Sequence, residues 1–447
     1  MLLSRYGTFT GGIDLPDEKY ATLHRPIAPP PGLTRLRVPL APCGKSAAAP
    51  LVALGQDVTA GQKLACAPDA SAVDIHAPVG GRVTAFTTAM VACGDDFVAC
   101  PALELTNLLA APSLRPLKPI YDWRMADSAD LRQRLASGGL MTHRPPLQPL
   151  GRWIEQARAK NCRILIANIM ESQPYVTADH RLLAEHGHDV IRGLAMLAQA
   201  MEIENIMLAV DRRRVDDYAE IIGPSRMYNI ARVALPHKYP IGSDPLLVKV
   251  LTRRETPMGS PSLDVGVAVI DAASCFAAYR WVACGQPATG RVVTVSGERA
   301  PQPANYFAPY GADCRELLNL ADGALIHGGP MTGLSCPANA VVTPVTTAAL
   351  ALEARTLAPP EACIRCGWCT DFCPARLNVA VLNDAFELGE LNQARRMGAI
   401  ACVECGVCTY ICPVRLPLSQ RTKRLKRALC GSRFDVLVNE IGASATS

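Results

Sequence analysis

Cys363-Ile364-Arg365-Cys366-Gly367-Trp368-Cys369-Thr370-Asp371-Phe372-Cys373-Pro374 is repeated in pattern by Cys402-Val403-Glu404-Cys405-Gly406-Val407-Cys408-Thr409-Tyr410-Ile411-Cys412-Pro413. Each run places three cysteines two residues apart, then a fourth after three more residues, followed by proline. That is the ligand pattern of a protein holding two [4Fe-4S] clusters. Iron in a cubane takes four soft thiolates in tetrahedral directions. Three closely spaced cysteines wrap one cluster, and the fourth of each run reaches across to the other. The spacing therefore assigns Cys363, Cys366, Cys369 and Cys412 to one cluster, and Cys402, Cys405, Cys408 and Cys373 to the second. Structural zinc also uses paired cysteines, but it calls for neither the third cysteine at the same step nor the repeated Cys-Pro.

Working outward, the chain has 447 residues, long enough for three or four domains. Hydrophobic residues make up 49% and aromatic residues only 5%, which favours small-residue packing in α/β layers. A net charge of +5 is too mild to argue for nucleic acid. The N-terminal stretch MLLSRYGTFTGG lacks an apolar signal-peptide core, so a reducing compartment is expected. Ten further cysteines (Cys43, Cys66, Cys93, Cys100, Cys162, Cys275, Cys284, Cys314, Cys336 and Cys430) show no ligand spacing, and most of them read as small buried residues. His186-x-His188 is the one closely spaced histidine pair, expected at an exposed helix end and not as a metal site. No Walker loop or Ser-His-Asp arrangement is present. Gly328–Leu352 carries no charged residue, but its prolines and glycines predict a buried loop leading into a helix, not a membrane span.

Pro-rich breaks at Arg25–Pro31, Pro112–Pro119, Arg144–Pro149 and Pro359-Pro360 divide the chain. Between Arg35 and Thr106, short β-type runs alternate with turns, including Pro78-Val79-Gly80-Gly81, and read as a small β-sandwich like that of biotinyl and lipoyl domains. The turn has no modifiable lysine, so the module is expected to be structural. RILIANIM (163–170), a helical-period segment and IENIMLAVD (203–211) form a βαβ unit, which points to Asn168–Pro174 beyond the first strand as a ligand position. VGVAVID and RVVTVSG bring strands back, and the following residues predict a β-hairpin and a helix. Residues 377–400 predict a helix between the cysteine loops. The expected domains are 1–112, an N-terminal segment with a barrel-sandwich; 113–258, a Rossmann-like α/β domain; 259–335, a β-grasp domain; and 336–447, a helical dicluster ferredoxin-like domain. The late basic residues Arg415, Arg421, Lys423, Arg424, Lys426 and Arg427 read as a solvated helix, or as a docking face for an acidic carrier or anionic lipid.

In this order the motifs resemble the C subunit of the Rnf ion-translocating electron-transport complex over nearly the whole chain. The resemblance rests on Gly11-Gly12-Ile13-Asp14-Leu15-Pro16-Asp17-Glu18-Lys19, HAPVGGRV, Asn168 with Pro174-Tyr175-Val176-Thr177-Ala178-Asp179-His180-Arg181-Leu182, and Lys238-Tyr239-Pro240. It continues through Asp264-Val265-Gly266-Val267, RVVTVSG, Gly328-Gly329-Pro330-Met331 and both cysteine runs. RVVTVSG…NYFAPYG is similar to that family's soluble-ligand-binding β-grasp domain, and the α/β part is similar to the flavin subunit of complex I. The resemblance implies a peripheral subunit on the cytoplasmic side of the cell membrane. It would take electrons from NADH through FMN into two [4Fe-4S] clusters and pass them to membrane subunits.

The sequence departs from the family at the flavin site. The family's phosphate loop reads like GxGGAGFPT; here the place reads Ser137-Gly138-Gly139-Leu140-Met141-Thr142-His143-Arg144-Pro145-Pro146. Gly138 and Gly139 remain, while two prolines remove amide donors. The family's Asn-Gly-Ala-Glu-x-Glu-Pro segment is Asn168-Ile169-Met170-Glu171-Ser172-Gln173-Pro174, keeping Asn168 and Glu171 but replacing the second acid. The expectation is a degenerate FMN/NADH site, with Gly138, Gly139, Asn168 and Glu171 as its remnant and Arg144 as a substitute phosphate partner. Electrons would then be exchanged with another donor or acceptor protein. The alternative function is a soluble flavin-dependent reductase of the cobalamin-reductase type; a third reading makes the clusters purely structural staples. Trp368, Val407, Ile364 and Val403, inside the cysteine loops, are expected to exclude water.

Overall fold

A computed structural model of the chain describes residues 7–42, 46–109, 117–144, 147–320, 323–353 and 358–431. Cys43, Pro145, Pro146 and the first part of the Pro112–Pro119 break lie outside the described residues. The chain forms two compact units built from interleaved segments. One gathers Asp17–Leu235 and Gly266–Ala354, and the other gathers Tyr6–Pro16, Pro236–Val265 and Arg355–Ser447.

The first unit begins with the expected sandwich. Gly81–Cys93 and Asp96–Thr106 form a long antiparallel hairpin, flanked by Leu36–Pro39 and Asp57–Val58. Gly94, at φ +66°, makes the tight reversal between the long strands. Ala49–Pro50, Lys63–Cys66 and Ile75–His76 form the second sheet. Alternation along the hairpin puts Val83, Leu103 and Leu105 inside, where each fully buried side chain contributes about 1.5–3 kcal/mol. This core is continuous with Val293, Val295 and Tyr306 from a five-stranded sheet and with Leu317 and Val342 beside it, so the two modules stabilise each other.

That five-stranded sheet has Gly290–Ser296 antiparallel to Ala304–Pro309 and parallel to Ala348–Leu350, with Ile326–His327 and Leu334–Ser335 completing it. The expected hairpin and the following helix, Cys314–Leu318 capped by Asp313, are present. The charge-free stretch is largely buried only from Ala340 onward, with Thr332, Ser335, Ala338 and Asn339 exposed, and it leads into a strand and not a helix. Ala348, Ala349 and Leu350 are fully buried in the middle of the sheet, which explains the lack of charge. The sheet therefore crosses the position at 335/336 where a domain boundary was expected.

The α/β part is a four-stranded parallel sheet: β1 (Ile164–Ile169), β2 (Asn205–Asp211), β3 (Ile230–Leu235) and β4 (Val267–Ile270), in spatial order β3-β2-β1-β4. β1 and β4 are buried at every residue, the pattern of strands covered on both faces. β4 belongs to this sheet because it pairs with β1 on the side that β2 leaves open, so the α/β fold extends beyond Met258. Helix α1 (Ala178–Met201) follows β1, and helix α2 (Ala272–Cys284) follows β4. The helices meet at Gly193, where a Cβ would lie 1.8 Å from the Cys275 carbonyl oxygen, so only glycine permits the approach. His186 and His188 are exposed but sit within α1, at its kink at His186, and not at its end.

In the second unit, two corresponding halves carry the cysteine runs. Each has a left-handed residue inside the loop (Arg365, Glu404), a left-handed glycine (Gly367, Gly406), and then a short helix, Trp368–Asp371 or Val407–Tyr410. Each half continues into a longer helix, α3 (Val379–Glu387) or α4 (Leu418–Leu429). Leu377, Leu382, Ala385, Val414, Leu416 and Leu425 form the core on which the cysteine loops rest. Among the described residues no helix is long and apolar enough to cross a membrane.

Candidate electron-transfer site

The repeated backbone brings the eight cysteines into two sets. Cys363, Cys366, Cys369 and Cys412 line one pocket, together with Ile364, Trp368, Pro413 and Val414. Burial pushes the Cys369 thiol up, and Cys366, Cys363 and Cys412 add to the rise, so these four feel one another's charge. In the second set burial pushes Cys402 up to about 11 and Cys405 up to about 12, and raises Cys408 as well. Cys373, from the first run, adds to all three. Cys412 thus lines the space of the first run, and the charge of Cys373 acts on the thiols of the second. Eight cysteines in two sets of four suit two cubanes: soft, anionic donors around a space and not around a single point. The raised thiols of Cys369, Cys373, Cys402, Cys405 and Cys408 must give up their protons when a cluster assembles.

The surroundings supply hydrogen bonds to the thiols and their backbone. Leu377 N donates to Cys373 Sγ at 3.4 Å, and Glu404 N donates to Cys402 Sγ at 3.4 Å. Lys426 Nζ donates to the Cys402 carbonyl at 2.8 Å and to Glu404 at 2.6 Å, and the Tyr239 hydroxyl donates to the Cys405 carbonyl. Gly12 N donates to the Phe372 carbonyl at 2.9 Å. A Cβ on Gly11 would lie 2.7 Å from the Cys373 carbonyl oxygen, so the entry motif is packed on the turn that presents this cysteine. Gly11, Tyr239 and Lys426 were not readable as site residues, because only folding brings them beside the cysteine runs.

The expectation that all four loop side chains exclude water needs correction. Val407 is 1% exposed and covers its loop, but Trp368 is 51% and Ile364 62% exposed. Cys366 is exposed while Cys405 is buried. The first loop meets solvent because its short helix presents Trp368 and Phe372 outward; the second is shielded by Tyr239 and Lys426.

The other candidate site lies in the first unit. The chain runs β1, β2, β3 in one direction across the sheet, then jumps to β4 on the far side of β1. The crevice beyond the C-terminal ends of β1 and β4 is therefore the switch point where such sheets bind ligands. Asn168 and Glu171 lie at the end of β1 as expected. Asn168 Oδ1 accepts from Met170 N at 3.1 Å, and the Glu171 carboxylate accepts from Asp179 N and His180 N, both at 2.9 Å. Gln173, replacing the family's acid, donates to Thr332 at 2.8 Å and accepts from Met331 N at 3.1 Å.

At β4, Asp271 caps α2 by accepting from Ser274 N at 2.7 Å and Ser274 Oγ at 3.1 Å. His143 reaches in from the altered loop, its Nδ1 3.4 Å from Asp271 and its backbone N–H donating to Ser274 Oγ at 3.3 Å. Against the upward pull of burial, His143, Arg291 and the Ser274 amide hold Asp271 below the usual carboxylate range. Buried Arg291 lies 3.9 Å from Asp179, whose carboxyl burial pushes well above the ordinary value, with Glu171 and Asp271 adding. Gly138 and Gly139 keep left-handed backbone, but a Cβ on Gly138 would lie 2.4 Å from the Trp281 ring and one on Gly139 2.8 Å from the Asp74 carbonyl. Both glycines serve packing.

Comparison with known proteins follows these parts. Residues 7–105 match the RnfC Barrel sandwich hybrid domain, residues 149–280 the Nuo51 FMN-binding domain, and residues 356–413 the 4Fe-4S dicluster domain. The FMN-domain match begins after the altered loop at Ser137–Arg144. Similar solved structures include the NAD+-reducing [NiFe]-hydrogenase in the H2-reduced state, with 15% identity and a TM-score of 0.45 over 73% of this chain and 59% of that one. The air-oxidized state of an NAD+-reducing [NiFe]-hydrogenase gives 17% identity and a TM-score of 0.42 over 70% and 56%. The chain thus spans under three fifths of these solved chains. A barrel-sandwich, an FMN-binding-type α/β fold and an iron–sulfur dicluster module, in this order, give the protein an RnfC-like architecture of oxidoreductase-type electron-transfer domains.

Proposed function

We propose that this chain is the electron-relay subunit of an Rnf-like, membrane-associated and ion-translocating complex, holding two [4Fe-4S] clusters on crossed cysteine sets. The supporting observation is the pairing of Cys412 with the first run and Cys373 with the second. Bound clusters supply one-electron transfer. The chain's own residues hold them, shield the second with Val407, Tyr239 and Lys426, and leave the first beside exposed Ile364, Trp368 and Cys366. The first cluster is therefore the end that exchanges electrons with a partner protein, and the second is the inner station. Partner membrane subunits would hold the chain peripherally on the cytoplasmic face. A cobalamin-reductase-type flavoenzyme would need a flavin site, which the side chains at the sheet crevice do not suit.

The test is anaerobic isolation of the native protein from separated membrane and soluble fractions. Protein in the membrane fraction with about eight irons and eight acid-labile sulfides per chain is expected. Zinc in place of iron, or protein confined to the soluble fraction, contradicts the respective part of the proposal.

A further inference from the structure

The α/β fold implies FMN, and the residues at its crevice do not fit that group. We infer that the switch-point crevice is sealed by the protein's own charged side chains and takes neither FMN nor NADH. The relay, on the reading above, is then charged by a protein donor and not by a nicotinamide.

A flavin phosphate at such a crevice needs free backbone amides at a helix N-terminus, a loop whose amides can close on it, and cationic partners. The amides, the loop and the buried Arg291 are already committed here. The first amides of α1 are taken by the Glu171 carboxylate, and the first turn of α2 by Asp271. An internal anion sits at the first turn of both of these helices, so an incoming dianion would be repelled where they would otherwise attract it. The loop that should close over the phosphate instead sends His143 against Asp271 and Ser274 and buries Leu140 and Met141. Its remaining glycines are pressed against Trp281 and the Asp74 carbonyl. Of the buried cations, Arg291 faces Asp179 and donates to the Pro344 and Val292 carbonyls. Asn168, retained from the family's segment, accepts from Met170 N with its side-chain oxygen. His143 Nε2 also lies 3.4 Å from the Tyr310 hydroxyl, which ties the plug to the five-stranded sheet.

The experiment is titration of the intact, cluster-loaded chain with FMN and, separately, NADH, followed by flavin fluorescence and calorimetry, with iron and released flavin measured on the same sample. No saturable binding up to about 100 μM of either ligand, and no released flavin, is expected; a true site of this kind would bind far more tightly. One FMN per chain, carried through isolation or bound on titration, overturns the inference while leaving the relay intact if eight irons are present. Absence of both iron and flavin sustains the sealed crevice and removes the relay.

Discussion

The residue on which the α/β domain's crevice turns is Asp271, the N-cap of α2. Its carboxylate is buried, accepts from the Ser274 amide and hydroxyl, and stands beside His143. Removing it leaves His143 and the α2 terminus without their anion in a place that water does not reach. Asp271→Ala is therefore expected to destabilise the chain by about 1–3 kcal/mol, the loss of a helix cap together with buried hydrogen bonds. Denaturant unfolding measures it; a change under 1 kcal/mol would show that the network carries little. The cysteines were readable one residue at a time because spacing alone implies their chemistry. Gly11 was readable as part of a motif but not as a neighbour of Cys373, because that contact joins distant segments. Trp368 was misread because whether a loop side chain covers a thiol or faces solvent depends on packing that spacing does not encode.

Among the elements, the strand ends and loops of the first unit bury neutral histidines. Burial holds His76 and His327 at about 4 and His180 at about 3, against an ordinary 6.5. Below pH 6.5 the unfolded chain takes up protons that these folded sites refuse. Stability is thus full above pH 6.5 and falls as pH drops toward 4, by about 1.4 kcal/mol per pH unit for each histidine in the window. Thermal melts at pH 7.5, 6.0 and 5.0 should show a progressive drop, reduced in a His327→Gln variant; an unchanged melting temperature contradicts the assignment. Elements with long periodic patterns were legible: α1, β1, β2 and the sandwich strands follow their hydrophobic period. Ala348–Leu350 was not, because three small residues between prolines and threonines show neither alternation nor helical period, and their burial comes from sheet partners. β4 was visible as a strand, but its place beside β1 reflects a jump across the sheet that local sequence does not record.

At the scale of the whole molecule, each unit has its own chemistry: a sealed α/β fold built with two β-sheet modules, and a repeated helical module presenting eight thiols. The order of domains was legible from motifs. Their interleaving was not, since Tyr6–Pro16 and Pro236–Val265 join the cysteine module from far along the chain. The account's central claim is that the two cysteine runs exchange their last ligands. The most direct measurement is the iron content and low-temperature EPR of a reduced Cys412→Ala chain, set beside Cys366→Ala and Cys405→Ala. Crossed ligation predicts about four irons and a residual spectrum matching Cys366→Ala, because both variants lose the first-run cluster. A residual spectrum matching Cys405→Ala would place Cys412 in the cluster of its own run and contradict the crossed arrangement.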